Sequence, residues 1–319
     1  MTMIKGYFMI PGRIAAMLTA ILAASSLLLL TCAEAEDPTS GRITVVGSES
    51  VWRAMDDEAR EFMAMYGRAT ARAVMTGSVT GLQMLFSAPG VKDTFLAVSI
   101  RPLSEAESTG AVRQGYAPRQ YRVGMDGIAI IVNAANPVDS LSLEQVRDIF
   151  SGRIVNWRQV GGRDEPIQTC FGSPKSGTYQ QFQDSILHDA GLARATRFFD
   201  TAFAIIRTVQ QDPRAIGYCG SSYLYRDWIA KPPIPEPGIK ALALARTAAG
   251  PYVAPDPGTI YDKSYPLWRY VYLVARREPK GVVSGFITFV MSSKGQQVLV
   301  RDGLAPVTVK FTVKREEPE

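Results

Sequence analysis

The sequence predicts an α/β fold, because one pattern of strand, turn and helix recurs along the chain. A short apolar segment is followed by a turn rich in Ser, Thr and Gly, and then by residues at helical spacing. The pattern occurs over residues 42–66, 71–86 and 166–188. Strands that alternate with helices usually form parallel sheets covered by helices. We therefore expect α/β layers with mostly parallel strands.

The first of these units shows the pattern most clearly. Residues 42–46 (Arg-Ile-Thr-Val-Val) have the composition of a buried strand, and residues 47–50 (Gly-Ser-Glu-Ser) form the turn. Apolar side chains then recur at helical spacing from Val51 to Tyr66, which predicts an amphipathic helix.

Other elements are predicted between and after these units. They are strands at 127–133, 215–219 and 268–275, helices at 143–150 and 282–291, and a short apolar tail at about 305–313. Ser142 is expected to open the first of these helices as a capping residue. Residues 231–238 contain four prolines and are predicted to be an extended loop, since proline is excluded from helix interiors and central strands.

The first 35 residues have the layout of a secretory signal peptide. Lys5 and Arg13 are followed by an almost uncharged apolar run over 14–30 and by residues 33–35 (Ala-Glu-Ala), a small-residue cleavage site. The run approaches the ~20 residues of a spanning helix, so a membrane anchor is the alternative. Cys32 lies in a loose lipoprotein box, which allows a lipid-anchored form. We predict cleavage after residue 35 and a periplasmic protein.

The composition excludes several classes of function. The 284 residues left after cleavage suit about two domains, and their 33 basic and 29 acidic side chains are dispersed. The sequence has no basic stripe of the kind that indicates a nucleic-acid partner. His188 is the only histidine, so neither a metal site nor a cofactor is predicted, and we expect His188 on the surface of a polar helix. Cys170 and Cys219 follow predicted strands, and either a disulfide or two buried thiols would be compatible with the sequence.

Turns that lead from a strand into a helix can bind oxyanions. The first N–H groups of a helix lack intrahelical partners and carry partial positive charge, hydroxyl groups donate further hydrogen bonds, and Gly allows close approach. Alternatively, Ser and Thr in such turns only cap the helices. Three such turns in one chain strengthen the oxyanion interpretation, and capping alone stays open as the alternative.

A long series of motifs carries a family resemblance. It begins at 124–127 (Gly-Met-Asp-Gly) and continues to 160–162 (Val-Gly-Gly). Shorter matches are 176–178 (Ser-Gly-Thr), 212–218 (Asp-Pro-Arg-Ala-Ile-Gly-Tyr) and 265–269 (Tyr-Pro-Leu-Trp-Arg). With these motifs, nearly all of the chain after residue 35 resembles the periplasmic phosphate-binding proteins of phosphate ABC importers, the PstS-like branch of the type 2 periplasmic binding fold.

The resemblance implies a two-lobed α/β protein with the ligand cleft between the lobes. Each lobe would be a mixed, mostly parallel sheet flanked by helices, with residues 40–130 plus 266–319 in lobe one and 131–265 in lobe two. Closure on phosphate or a similar oxyanion would create the form that a membrane permease recognises. We expect a monomer that captures and delivers its ligand without chemistry.

The resemblance also implies a set of ligand-binding residues. They are Ser50, Val51, Ser78, Ser99, Arg101, Lys175, Ser176, Gly177 and Thr178. Arg101 would supply a fixed charge and a planar fork of donors. Two departures concern the choice of anion: Ile100 stands where some members have an Asp that accepts the proton of hydrogen phosphate, and Lys175 replaces an Arg found in many members. Phosphate and related oxyanions therefore both stay open.

Two other functions compete with this interpretation. A serine hydrolase needs a base beside its nucleophile, but the chain has one His and no Gly-x-Ser-x-Gly motif. A ligand-free or sensor-type protein of the cell envelope is the second alternative, suggested by the altered turn at 172–175.

Overall fold

The computed structural model describes residues 36–87, 94–174, 176–188, 190–194 and 196–310. The predicted signal peptide with Cys32, residues 311–313 of the apolar tail and Lys175 lie outside these described residues. Within the described residues, the chain from Pro38 to Lys310 forms one compact unit.

The strands and helices alternate along the chain as the sequence predicts. The strands are β1 Ser40–Gly47, β2 Arg68–Met75, β3 Phe95–Ser99, β4 Arg119–Asn133, β5 Ser140–Ser142, β6 Gln168–Gly172, β7 Thr196–Phe199, β8 Ala215–Gly220, β9 Tyr225–Asp227, β10 Ile234–Pro235, β11 Ile239–Ala241, β12 Ala243–Ala245 and β13 Trp268–Ala275. The α-helices are α1 Trp52–Met65, α2 Ser78–Ser87, α3 Glu105–Arg113, α4 Leu143–Ser151, α5 Gly177–Phe182, α6 Ala202–Gln211, α7 Pro257–Tyr261, α8 Gly281–Met291 and α9 Ser293–Arg301. Within the described residues, none of these helices combines the length and the apolar character that a membrane span requires.

The main sheet is parallel at both ends and antiparallel in the middle. Its strand order is β2-β1-β3-β13-β4-β8-β6-β7, with β11 paired to β4. Strands β2, β1 and β3 are parallel, as are β8, β6 and β7, whereas β13 and β4 run antiparallel to their neighbours. The prediction of an α/β fold with mixed, helix-flanked sheets is confirmed.

Strand β4 joins the two parallel regions. Its residues up to Gly127 pair with β13, and its residues from Ile128 onward pair with β8. Its buried Ile/Val/Ala run is enclosed on both faces, since every residue from Val123 to Val132 is buried. One strand therefore belongs to both halves of the sheet.

Separate hydrophobic cores lie in the two halves. In one half Phe62 of α1 packs edge-to-face on Phe286 and Phe289 of α8, with ring centroids 5.3 and 5.5 Å apart. In the other, Phe182 of α5 stacks on Tyr218 of β8 at 4.4 Å. Aromatic pairs of this kind add to the free energy of burial.

Local signals explain some helix boundaries, but four of the nine α-helices in the described residues, α3, α6, α7 and α9, were not predicted. Ser142 caps α4 in a capping box with Gln145, as predicted. After α8 the sequence predicts only a short apolar tail, whereas the structure has α9. Gly295 and its polar neighbours weaken the helical pattern, yet a Cβ at Gly295 would lie 2.4 Å from the carbonyl oxygen of Phe289. Close packing of α9 against the end of α8 therefore requires glycine at position 295, and this glycine weakens the helical pattern in the sequence.

The two cysteines are free thiols on neighbouring strands. β6 and β8 are paired with Thr169 opposite Ile216, so Cys170 and Cys219 are on adjacent strands but not in opposite positions. Both are buried, and burial raises the pKa of the Cys170 thiol to about 12. Of the two possibilities left open by the sequence, the structure contains buried thiols. His188 is exposed, as predicted.

Candidate functional site

Several loops meet at one small cavity. They follow strands β1, β2, β6 and β7, and the end of β8 completes the lining. The lining residues are 48–50, 77, 172–173, 176–178, 200–202, 205 and 218–220. Its volume is about 20 Å³, where a single water needs roughly 10–15 Å³. The space suits a compact polyatomic ion or a pair of waters.

The first wall is the turn after β1. Gly47 has a φ of +139°, and a Cβ there would lie 2.1 Å from the Val98 carbonyl oxygen, so the close approach of β1 to β3 requires glycine. The hydroxyl groups of Ser48 and Ser50 are 2.9 Å apart. The carbonyl of Ser50 accepts a hydrogen bond from Ser222 at 2.6 Å, so this turn is held against the segment that follows β8.

The second and third walls touch each other. Ser78 begins α2, and its hydroxyl is buried without a hydrogen-bond partner. Gly177 begins α5, and a Cβ on it would lie 2.8 Å from the Ser78 hydroxyl oxygen. Ser176 caps α5 by accepting a hydrogen bond from the Tyr179 N–H at 3.0 Å. The hydroxyl hydrogen of Ser176 is therefore available for another acceptor.

The fourth wall is the start of α6, and a carboxylate reaches it. Thr201 caps this helix by accepting a hydrogen bond from the Ala204 N–H. The Ala202 N–H donates to the side chain of Glu49. Burial raises the pKa of Glu49, and the Ala202 hydrogen bond lowers it in part. Within the described lining, the charged side chains are Glu49 and Asp200, both acidic.

Five of the predicted ligand residues lie at or beside this cavity. Ser50, Ser176, Gly177 and Thr178 line it, and Ser78 follows the lining residue Gly77. Val51 is next to Ser50 in the chain, but its side chain is fully buried in the core of the first half.

Ser99 and Arg101 are placed elsewhere. The Ser99 hydroxyl is engaged within its own turn, where it donates to the Arg101 carbonyl at 2.8 Å. The Arg101 guanidinium makes a two-point pair with Glu107, 2.8 Å at each contact. Arg101 lines a second, wider cavity together with Trp268 and Tyr270. Neither residue is among those that line the small cavity, so the charge predicted from Arg101 is not supplied there.

A buried ion pair behind the cavity was missed by the sequence analysis. Arg269 donates to Asp126 through Nε at 2.8 Å and through Nη2 at 2.6 Å. Nη2 also donates to the Thr178 hydroxyl oxygen at 3.2 Å. Both charged residues occur in apolar strand segments, and a charge inside a buried strand was the signal that could have identified them.

Comparison with known proteins agrees with this fold. The sequence profile of the PBP superfamily domain matches residues 33–294. The chain therefore belongs to the PBP superfamily.

Individual relatives refine the comparison. The phosphate-binding protein PstS of Pseudomonas aeruginosa is 25% identical over 292 residues, 86% of this chain and 86% of the relative. PstS of Bacillus subtilis is 27% identical over 277 residues, 86% of this chain and 84% of the relative.

Solved structures give the same result. A protein from Clostridium perfringens, assigned as a phosphate ABC transporter substrate-binding protein and solved with bound phosphate, is similar with a TM-score of 0.71 and 26% identity, over 84% of this chain and all of that one. An ABC-type phosphate transport receptor from Vibrio cholerae has a TM-score of 0.61 and 25% identity, with the same coverage.

Proposed function

We propose that this protein captures phosphate, or a closely related tetrahedral oxyanion, in the small cavity and delivers it to a membrane importer. The observation that carries the proposal is the convergence of the turns at Ser50, Gly77 and Ser176–Thr178 on one space. Beside that space, Ser78 keeps a buried hydroxyl without a partner. Buried polar groups are usually hydrogen-bonded, so an unpartnered donor beside a cavity favours an acceptor ligand.

The predicted ligand residues then take different roles. The hydroxyls of Ser50, Ser78, Ser176 and Thr178 would donate to anion oxygens, and Gly177 would contribute its backbone N–H at the start of α5. Val51 would contribute only backbone, and Lys175 would supply positive charge. The Ser99 hydroxyl donates to the Arg101 carbonyl, and the Arg101 guanidinium is paired with Glu107. We therefore assign Ser99 and Arg101 a supporting role in the fold of this turn.

We also propose that the two cores belong to two lobes that close on the ligand. Lobe one would comprise residues 40–130 and 266–319, and lobe two residues 131–265. The separate hydrophobic clusters and the change of partner along β4 between Gly127 and Ile128 support this division. The contact between the Ser78 turn and Gly177 in the structure is the one that closure of the two lobes would form.

Export to the periplasm, a monomeric state and a permease partner are part of the same proposal. The relatives are named as binding proteins and transport receptors, which supports binding without catalysis. The exposed His188 is not among the residues that line the cavity, so it offers the serines there no base.

Calorimetry with phosphate, sulfate, arsenate, molybdate and tungstate tests the proposal. We expect one phosphate per chain and a higher melting temperature in its presence, because a ligand that binds only the native state stabilises it. Tight binding of another of these anions with no response to phosphate would reassign the ligand. A folded protein that binds none of them would contradict the proposal.

One observation favours a second candidate, a sensor-type protein that has lost its ligand. The charged side chains in the described lining are both carboxylates, which disfavour an anion by like-charge repulsion. The same calorimetry separates the two candidates, since the sensor-type protein would fold but bind no oxyanion.

A further inference from the structure

The buried pair of Asp126 and Arg269 occupies the middle of the main sheet. The two residues face each other across the β4–β13 ladder. The exposed fraction is 0% for Asp126 and 3% for Arg269. Charges are costly to bury unless each is paired and its remaining hydrogen-bonding positions are filled. The other hydrogen bonds of Asp126 and Arg269 therefore show which parts of the fold the buried pair holds in place.

Those contacts reach two walls of the cavity. One Asp126 oxygen accepts hydrogen bonds from the N–H and the hydroxyl of Ser221, both at 2.9 Å, directly after the lining residue Gly220. Arg269 donates to Thr178 at 3.2 Å, and through Nη1 to Gln181 at 3.3 Å. The pair thus connects the end of β8 to the start of α5.

The contact with Thr178 has a directional consequence. A guanidinium can only donate, whereas a hydroxyl has one hydrogen and two acceptor positions. Arg269 therefore occupies an acceptor position on Thr178, and the hydroxyl hydrogen must point away from the guanidinium. Thr178 itself lines the cavity. A ligand that presents only acceptors would then meet a donor.

We propose that Arg269, held by Asp126, is a positioning residue that orients the Thr178 hydroxyl as a donor into the cavity. The inference rests on the proposed function, since it assumes that the ligand there is an oxyanion. Arg269 does not line the small cavity; it acts through Thr178. Its charge is largely balanced by Asp126, so orientation of the hydroxyl, rather than net charge, is its contribution.

A double-mutant cycle with inorganic phosphate tests the proposal. Removing Arg269 alone would leave Asp126 buried and unpaired, so the pair is replaced together, as Arg269→Gln with Asp126→Asn, which keeps amides that can hydrogen-bond. We expect this change to weaken phosphate binding about five- to tenfold. Thr178→Val should weaken it by a similar factor. In the Thr178→Val background, the replaced pair should change affinity less than about twofold.

The controls separate positioning from a purely structural role. Gln181→Leu removes the other Arg269 contact and should leave phosphate affinity within about twofold of wild type. Thr178→Ser retains a hydroxyl and should restore most of the affinity lost with Val. If the losses of phosphate affinity caused by the replaced pair and by Thr178→Val multiply when the changes are combined, the positioning role is overturned. The proposed function would be left intact by that result. If the wild-type protein itself binds no oxyanion, both proposals fail. Should the replaced pair not fold, Arg269→Lys, which keeps a cation beside Asp126 but lacks the planar fork that also reaches Thr178, is carried through the same cycle.

Discussion

Gly177 lies so close to Ser78 that a methyl group on Gly177 would sit 2.8 Å from the Ser78 hydroxyl oxygen and 3.1 Å from a side-chain carbon of Ile100. The start of α5 thus packs directly on the start of α2. A residue larger than glycine would separate the two turns that the proposed ligand joins.

Gly177→Ala should therefore weaken phosphate binding strongly. Inserting a methyl group into a packed contact costs about 1–3 kcal/mol, which corresponds to roughly five- to 150-fold in affinity if the cost falls on the closed, bound form. Titration calorimetry measures the change. Gly110→Ala is the control, because a Cβ at Gly110 meets nothing within 4 Å. Equal affinities for Gly177→Ala and wild type would show that the bound form does not bring these turns together.

Thr178 should matter more for binding than Arg101. The family resemblance implies that Arg101 supplies positive charge to the ligand, but its guanidinium is paired with Glu107 outside the small cavity. We expect Arg101→Ala to change phosphate affinity less than about twofold and to lower stability by about 1 kcal/mol or less, since the pair is partly exposed. Thr178→Ala should weaken binding about two- to tenfold.

Binding and thermal unfolding of both variants check this order, with Glu107→Gln as the control for the ion pair. A tenfold loss for Arg101→Ala beside an unchanged Thr178→Ala would place the ligand in the wider cavity lined by Arg101 and Trp268.

Glu49 should make anion binding depend on pH. Burial raises the pKa of its carboxyl, so the group gains a proton at a higher pH than usual. As pH rises through this raised pKa, a negative charge develops in the cavity, and affinity for an anion should fall.

Sulfate is the informative probe because its own charge does not change in the neutral range. Glu49→Gln keeps an acceptor for the Ala202 N–H, and it should bind sulfate about tenfold or more tightly than wild type above the Glu49 pKa. Its affinity should also be nearly independent of pH. A wild-type affinity for sulfate that does not vary with pH would show that Glu49 does not face the ligand.

Glu58 should destabilise the protein as pH rises. Its carboxylate is fully buried on α1, and neither oxygen has a hydrogen-bond partner. Burial, with Asp302 nearby, raises the pKa of Glu58 well above its usual value, and burial likewise raises that of Asp302 to about 7. Below the unfolded-state pKa both states are protonated. Above it the native state still holds the protons, so stability falls with pH up to the folded-state values.

Glu58→Gln should therefore raise the melting temperature by about 2–6 °C near pH 8 and by much less near pH 5. Thermal unfolding at the two pH values gives the comparison. Glu61→Gln, which is partly exposed and ion-paired with Lys294, serves as the control and should not stabilise. A stabilisation by Glu58→Gln that is the same at both pH values would contradict the titration argument.

Local patterns were sufficient to predict about half of the strands and helices in the described residues. The strand at 42–46, the helix from Val51 and the capping of α4 by Ser142 depend on side-chain alternation, helical spacing and one hydrogen bond within a turn. The motif at 176–178 likewise identified a turn that lines the cavity. In each case the determining interactions lie within a few residues, so the sequence alone contains them.

Other features depend on which strands become neighbours. Arg101 and Thr178 are predicted to face one ligand; in the structure Thr178 lines the small cavity, whereas the Arg101 guanidinium is paired with Glu107, six residues further along. The pairing of Asp126 with Arg269 joins positions 143 residues apart, and it follows from the antiparallel insertion of β13 beside β4. Sequence by itself determined the turns and their chemistry. Only the tertiary structure decided which turns share a cavity, because burial makes each charge bond to whatever the sheet places next to it.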